Sequence, residues 1–267
     1  MVTIKVAVNG AVGSMGREVV RTVLSEPGLV LVAASDVKGD GSDAGLLAGL
    51  GPVGVPLETG LAAALKRAKP DVMVDFTSPH SVLQNVETSF SLGVRPVVGT
   101  TGITESDLEK IRGWAALAGL PAVIAPNFAL GAVLMMLFAA QAARYLPEAE
   151  IIELHHEKKI DAPSGTAIKT AEMILKARGN TNRRTTEELE KIKGARGGNM
   201  EGIRLHSVRL PGLVAHQEVI FGGLGQSLTL RHDSFSRASF MPGVILAVKA
   251  VMEQSGVVYG LENLLNL

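Results

Sequence analysis

The chain changes its hydrophobic rhythm near the middle. In the first half, short apolar runs alternate with helix-like segments. KVAVNG (5–10), LVLVAASD (29–36), DVMVDFT (71–77), PVVGTTG (96–102) and PAVIAPNF (121–128) predict strands. Between them, REVVRTVLSE (17–26), HSVLQNVETSFSLG (80–93) and ESDLEKIRGWAALAG (105–119) predict helices, the last with Thr104 as its N-cap. Apolar residues at nearly every strand position imply burial on both faces. Strands of that kind, alternating with helices, predict a parallel sheet with crossover connections.

The second half reads differently. An apolar helix is expected at 128–145, then an extended segment at 150–156 and a helix at 166–177. The polar, basic, glycine-rich stretch 178–202 reads as an exposed loop or lid, with disorder as the alternative. IRLHSVRL, HQEVIFGG and QSLTLRHDSF alternate apolar and polar residues. That pattern suits antiparallel strands with one wet face. A last helix near 242–254 is expected to return to the first domain.

Composition narrows the classes. The chain has 267 residues, formal net charge +0 and 46% hydrophobic residues, enough to bury a substantial core. Neutral charge gives no footprint for nucleic acid or an anionic membrane surface. The longest apolar run, FALGAVLMMLFAA, falls short of the ~20 residues a membrane span needs. The absence of cysteine removes disulfides, thiol nucleophiles and cysteine metal sites, and fits a reducing compartment. The N-terminus has no secretory pattern. A cytoplasmic location is expected, or the plastid stroma if the source is photosynthetic.

Candidate chemistry begins at NGAVGSMG (9–16), between the first strand and the first helix. Glycines there permit a tight turn and let backbone N–H groups approach a pyrophosphate at the helix N-terminus. The G-x-x-G-x-x-G spacing departs from the familiar one at Val12. Asp36, about 20 residues on at the end of the second strand, suits the ribose hydroxyls. It favours NADH, whereas Lys38 could attract the 2′-phosphate of NADPH, so both remain open. The loops DFTSP (75–79), GTTG (99–102) and APNF (125–128) end strands where ligands of open parallel sheets bind. Each taken alone is also ordinary turn chemistry.

The densest cluster is EIIELHHEKKIDAPSGTA (150–167). His155 and Lys159 share a face whether the segment is a strand or a helix. His156 should point away from His155 in an extended chain. Ser164 can cap a helix starting near Gly165, so Gly165 and Thr166 would offer N–H groups and a hydroxyl to a carboxylate. Adjacent histidines with no spaced third ligand make a poor zinc set, and no metal is expected.

VAVNGAVGSMGR, DFTSP, VGTTG, APNF, ELHHEKKIDAPSGTA and the late SFSRASF together resemble the bacterial dihydrodipicolinate (4-hydroxy-tetrahydrodipicolinate) reductases over nearly the whole chain. The resemblance implies an α/β protein in which residues 1–127 form a Rossmann-type dinucleotide-binding domain. Residues 128–237 would be a smaller α+β domain with a mixed or antiparallel sheet, for substrate binding and oligomerisation. Residues 238–267 would pack back on the first domain. It further implies hydride transfer from NADH or NADPH to a cyclic imine dicarboxylate in the diaminopimelate route to lysine, by a homotetramer. By the same resemblance the proton donor falls on His155 and the second essential cation on Lys159. Substrate contacts fall on His156, Gly165, Thr166 and Arg237. Cofactor contacts fall on Gly10, Ala11, Val12, Gly13, Ser14, Met15, Asp36, Gly99, Thr100, Thr101, Ala125, Pro126, Asn127 and Phe128. Ala129 stands where the family often has serine, and Gln226 where it usually has glutamate. Two other readings are a different two-domain amino-acid-pathway dehydrogenase and a non-catalytic NAD(P)-binding sensor.

Overall fold

The computed structural model describes residues 3–179 and 189–265, which divide into two compact units. The first comprises Met1–Phe128 with Phe240–Leu267, the second Ala129–Ser239.

The first unit opens with β1 (Ile4–Asn9), α1 (Ser14–Ser25) and β2 (Leu29–Ser35). Then come the short α2 (Ala44–Leu47), β3 (Leu57–Glu58) and α3 (Leu61–Ala68). It continues with β4 (Val72–Asp75), α4 (Val82–Ser91), β5 (Arg95–Val98), α5 (Glu105–Ala118) and β6 (Ala122–Ile124). Val6, Val8, Val72, Val74, Val97 and Val98 are all fully buried. These strands therefore carry side chains suited to a covered sheet rather than a half-wet one. Two signals set the bounds of α5. Thr104 and Asp107 form a reciprocal capping box at its start, and Gly119 takes the left-handed conformation at its end.

The second unit begins with α6 (Leu130–Ala142), β7 (Glu148–His155) and α7 (Gly165–Arg178). It continues with β8 (Gly198–Met200), β9 (Ile203–Arg209), β10 (Ala215–Gly223) and β11 (Gln226–Ser234). The chain then returns to the first unit as α8 (Met241–Ala250) and β12 (Val257–Tyr259). There α8 packs on α1 and β5.

The first sheet is parallel throughout, in the order β12-β6-β5-β4-β1-β2-β3. Chain order reverses at β1, which lies between β2 and β4. That is the switch point beside which ligands of such sheets bind. The second sheet runs β11-β10-β7-β9-β8 and is mixed. One face is covered by α6 and α7, whose Met135, Ala139, Ala167, Ala171 and Ile174 pack with Ile151, Val219 and Phe221 of the strands.

Two expectations change. IRLHSVRL is β9, and it pairs parallel to β7, not antiparallel. Alternation of polar and apolar residues reports a half-buried strand but carries no direction. Here α7 lies between β7 and β9 in the chain, the crossover that a parallel pair requires. The stretch 178–202 is also not all loop: Gly198–Met200 forms an antiparallel edge with β9. Its residues 180–188 lie outside the described ones.

Candidate active site

In the first unit, the candidate nucleotide contacts gather at the carboxyl ends of the first sheet. Gly10 has φ +80°, and a Cβ there would sit 2.4 Å from the Phe76 carbonyl oxygen. Only glycine lets β1 turn against the β4 loop in this way. Gly13 is the N-cap of α1, with no side-chain cap and no acidic residue in the first turn. The first-turn N–H groups of α1, including those of Ser14 and Met15, are thus left for an anion. Ala11 is buried, and Val12, at the departure from the usual spacing, donates its N–H to Asp36 Oδ2 at 3.1 Å. The other oxygen of Asp36 accepts from the Lys38 N–H. Asp36 thus braces the glycine turn while standing, partly exposed, at the end of β2.

Beneath these loops lies the carboxylate that opens DFTSP, a segment the sequence marked as a ligand loop and not as a buried brace. Asp75, at the end of β4, is fully buried. Its Oδ2 accepts from Asn9 Nδ2 at 2.8 Å and Asn85 Nδ2 at 2.9 Å. Its Oδ1 accepts from the Thr77 N–H and hydroxyl and from Thr100 Oγ1. Asn9 in turn accepts from the Ser35 hydroxyl. Asp75 therefore ties together the ends of β1, β4 and β5, and Asn9 extends the network to β2. Gly99 meets the Phe76 ring, which packs against buried Phe128 at a centroid separation of 5.8 Å. Thr101 and Pro126 are exposed, Asn127 is half-buried and Ala125 is buried. The uncapped helix start and the close-packed glycine turn fit a dinucleotide pyrophosphate.

In the second unit, titratable groups gather around His155. His155 ends β7, and its side chain is 15% exposed. Its Nδ1 lies 2.5 Å from Glu153 Oε2, two residues back on the same face of the strand. Glu153 is fully buried and had no place in the sequence reading. Arg209 of β9 donates from Nη1 to Oε2 at 2.9 Å and from Nη2 to Oε1 at 2.7 Å. The Ser164 N–H donates to Oε1 at 3.2 Å. Ser164 also caps α7, its hydroxyl accepting from the Ala167 N–H. Glu153 thus joins the histidine, the arginine and the start of α7.

Electrostatics follow from this geometry. Burial pushes the Glu153 carboxyl up, but hydrogen bonds from Arg209, Ser207 and His155 outweigh it and hold it below its ordinary value. Burial likewise lowers His155. Glu153 pulls it up, and the charges of Lys159 and Arg209 push it down again, leaving it below its ordinary value.

The remaining residues from the sequence reading divide. Lys159 is half-buried in the turn after β7, and its ammonium is bound by both oxygens of Asp161, at 2.7 and 2.8 Å. Its charge bears on His155. The strand stops at His155, so strand parity does not extend to Lys159; the turn places it. His156 is exposed. Gly165 is exposed at the first position of α7 with open space where a Cβ would be, and Thr166 follows it. Arg237 is exposed in a single 3-10 turn, Arg237–Phe240. Ala129 is the N-cap of α6 and supplies no side-chain cap. Among the described residues no group of histidine, aspartate and glutamate could hold a metal ion.

A parallel sheet with a glycine turn at its switch point and a second unit with an imidazole–carboxylate–guanidinium cluster define a two-domain pyridine-nucleotide oxidoreductase. Residues 4–128 match the family model for the N-terminus of dihydrodipicolinate reductase, and residues 131–265 match the model for its C-terminus. The chain belongs to the dihydrodipicolinate reductase family. It is 53% identical over 266 residues to the 4-hydroxy-tetrahydrodipicolinate reductase of Desulfitobacterium hafniense (strain DSM 10664 / DCB-2), covering 99% of this chain and 100% of that one. The corresponding enzyme of Moorella thermoacetica is 53% identical over 263 residues, covering 98% of each. Among solved structures, the dipicolinate-bound dihydrodipicolinate reductase from Paenisporosarcina sp. TG-14 superposes with a TM-score of 0.88 at 48% identity. It covers 98% of this chain and 100% of that one.

Proposed function

We propose that the protein carries out its family's reaction with the second-unit cluster as its acid and its diacid clamp. It is a 4-hydroxy-tetrahydrodipicolinate reductase of the diaminopimelate route to lysine, an oxidoreductase that uses NADH or NADPH. The observation that carries the reading is the meeting, through Glu153, of the His155 imidazole and the N-terminus of α7. Once the 4-hydroxyl has left as water, reduced nicotinamide, when bound, supplies a hydride to C4 of the resulting α,β-unsaturated imine. Charge then builds up as an enamine, and protonated His155 delivers the proton to C3. Lys159 and His156 hold carboxylate charge. Gly165 and Thr166 fix the ring by their N–H groups and hydroxyl at the positive end of α7. Arg237 is assigned a more peripheral carboxylate contact. This is positioning, general acid catalysis and electrostatic stabilisation acting together. A planar ring diacid is also what the Paenisporosarcina relative holds.

In the first unit, residues Gly10 to Met15, Asp36, Gly99 to Thr101 and Ala125 to Phe128 are assigned to the nucleotide. Asp36 favours NADH and Lys38 leaves room for NADPH. The assembly is read as a homotetramer built through the second unit, where Leu228 on the outer strand β11 and Leu224 in the turn before it are exposed. The location is read as cytoplasmic; no described helix is long and apolar enough to cross a membrane.

The direct test follows the loss of NADH or NADPH absorbance with freshly generated cyclic imine diacid. Absence of oxidation with both nucleotides overturns the reading. Sedimentation tests the tetramer independently.

A further inference from the structure

We propose that Glu153 is a positioning residue that fixes the tautomer of His155, holding the proton on Nδ1 so that Nε2 is the nitrogen that passes its proton to the substrate. The inference rests on the assignment of His155 as the proton donor and adds the residue that makes it one.

An ionised carboxylate only accepts hydrogen bonds. Glu153 has no exposed surface, yet both its oxygens are committed: Oε1 to Arg209 Nη2 and the Ser164 N–H, Oε2 to Arg209 Nη1 and His155 Nδ1. The contact at Nδ1 therefore requires a hydrogen on that nitrogen. A neutral imidazole has one N–H, so Nε2 carries the free lone pair and takes the proton when the ring becomes cationic.

Arg209 has a second consequence. A bare buried carboxylate would bind an imidazolium tightly and make it a poor acid. The bidentate guanidinium offsets that charge. The charged groups around the ring are Glu153 on its own strand, Arg209 on β9, and Lys159 with its partner Asp161 in the following turn. Their charges cancel while His155 is neutral. An arriving dicarboxylate tips the balance negative and draws a proton onto Nε2, where the reaction uses it. Because the Ser164 N–H shares Oε1, the same carboxylate also sets the imidazole relative to the anion-binding start of α7.

The test is nitrogen-15 NMR of the full-length protein labelled at histidine, with and without NADH. The His155 signals are assigned among six histidines by their loss in His155→Gln. The wild type is expected to show the Nδ1–H tautomer at high pH. Glu153→Gln is expected to lower the His155 pKa and relax that tautomer. It should also cut kcat by ~10²–10⁴, the usual contribution of a general acid, with KM for the nucleotide unchanged. Glu153→Asp should restore part of both. An Nε2–H tautomer in the wild type overturns the proposal, even if Glu153→Gln does not fold. So does a folded Glu153→Gln protein with unaltered His155 tautomer and pKa. Normal turnover by His155→Gln instead removes the donor assignment itself, a result the NMR measurement cannot imitate.

Discussion

Arg209 grips Glu153 with both terminal nitrogens across the parallel β7–β9 pair, in which Ser207 lies opposite Glu153 and Arg209 opposite His155. The Arg209 side chain is 19% exposed and that of Glu153 0%. Removing one partner of such a pair strands the other charge in the interior. Arg209→Met is expected to cost about 3–5 kcal/mol of stability at neutral pH. Urea unfolding measures it. The pH dependence has a definite sign. In the wild type the Glu153 carboxyl is held below its ordinary value of 4.5, so its contribution is present above pH 4.5 and is lost as pH falls through the folded value. In Arg209→Met burial dominates and Glu153 protonates more readily. The stability gap between the two proteins should therefore narrow as pH falls, from the raised value of Glu153 in Arg209→Met, above pH 4.5, down to the wild-type value below it. A gap of constant size across that window contradicts the assignment of its origin to the ion pair.

His155 supplies a second expectation. Burial, with the charges of Lys159 and Arg209, keeps its pKa below 6.5 in the free protein despite the pull of Glu153. A general acid must be protonated to act, so activity falls as pH rises through its pKa. The alkaline limb of kcat/KM, which reports the free protein, should thus lie at lower pH than the limb of kcat, which reports the complex with a dianion bound. His155→Gln should lower kcat by ~10²–10⁴ and leave nucleotide affinity intact. Coincident limbs in the two profiles would argue that bound substrate leaves the donor's pKa unmoved.

Lys159 is held by Asp161 on its own turn, so a substrate carboxylate must compete with a neighbour already in place. Lys159→Ala is expected to raise KM for the dicarboxylate and lower turnover. Asp161→Asn removes the competitor and an anion together, and KM for the same substrate should fall, most visibly at low salt. Steady-state kinetics at two ionic strengths reads both effects. An Asp161→Asn protein with raised KM would show that Asp161 orients Lys159 rather than competing for it.

Legibility in the sequence followed the range of the interactions. β1, β2, β4, β5 and β6 stood out because burial on both faces leaves unbroken valine, isoleucine and alanine runs. β3 and β12, of two and three residues, are too short to leave a pattern. The direction of β9 could not be read, since alternation is blind to it. The glycine turn, the Thr104 cap and the Ser164 cap were visible because each is local. Glu153 and Arg209 are 56 residues apart, and Asn9 and Asp75 are 66 apart. The one available hint was that Glu153 shares strand parity with His155, an acidic residue on an inward face.

The glycine turn itself separates packing from binding. A Cβ on Gly16 would lie 2.0 Å from the Gly10 carbonyl oxygen and 2.7 Å from the Ala11 Cα. Both obstacles are backbone and cannot swing aside. Gly16→Ala must therefore push α1 off β1, and about 1–3 kcal/mol of stability should go with it. Gly13 differs: its φ of −63° and ψ of 159° suit alanine, and the nearest atom to a new Cβ is the Gly10 oxygen at 3.2 Å. Gly13→Ala should fold with a smaller loss than Gly16→Ala, since the Gly10 oxygen need give by only a few tenths of an ångström, yet place a methyl group on the exposed lip of the turn where a pyrophosphate would approach the start of α1. Its NADH affinity, followed by fluorescence titration, should drop while its urea midpoint falls less than that of Gly16→Ala. If Gly13→Ala binds NADH normally, the third glycine serves helix packing and the second does not face the nucleotide. The pyrophosphate contact would then have to be sought at the Ser14 and Met15 N–H groups alone.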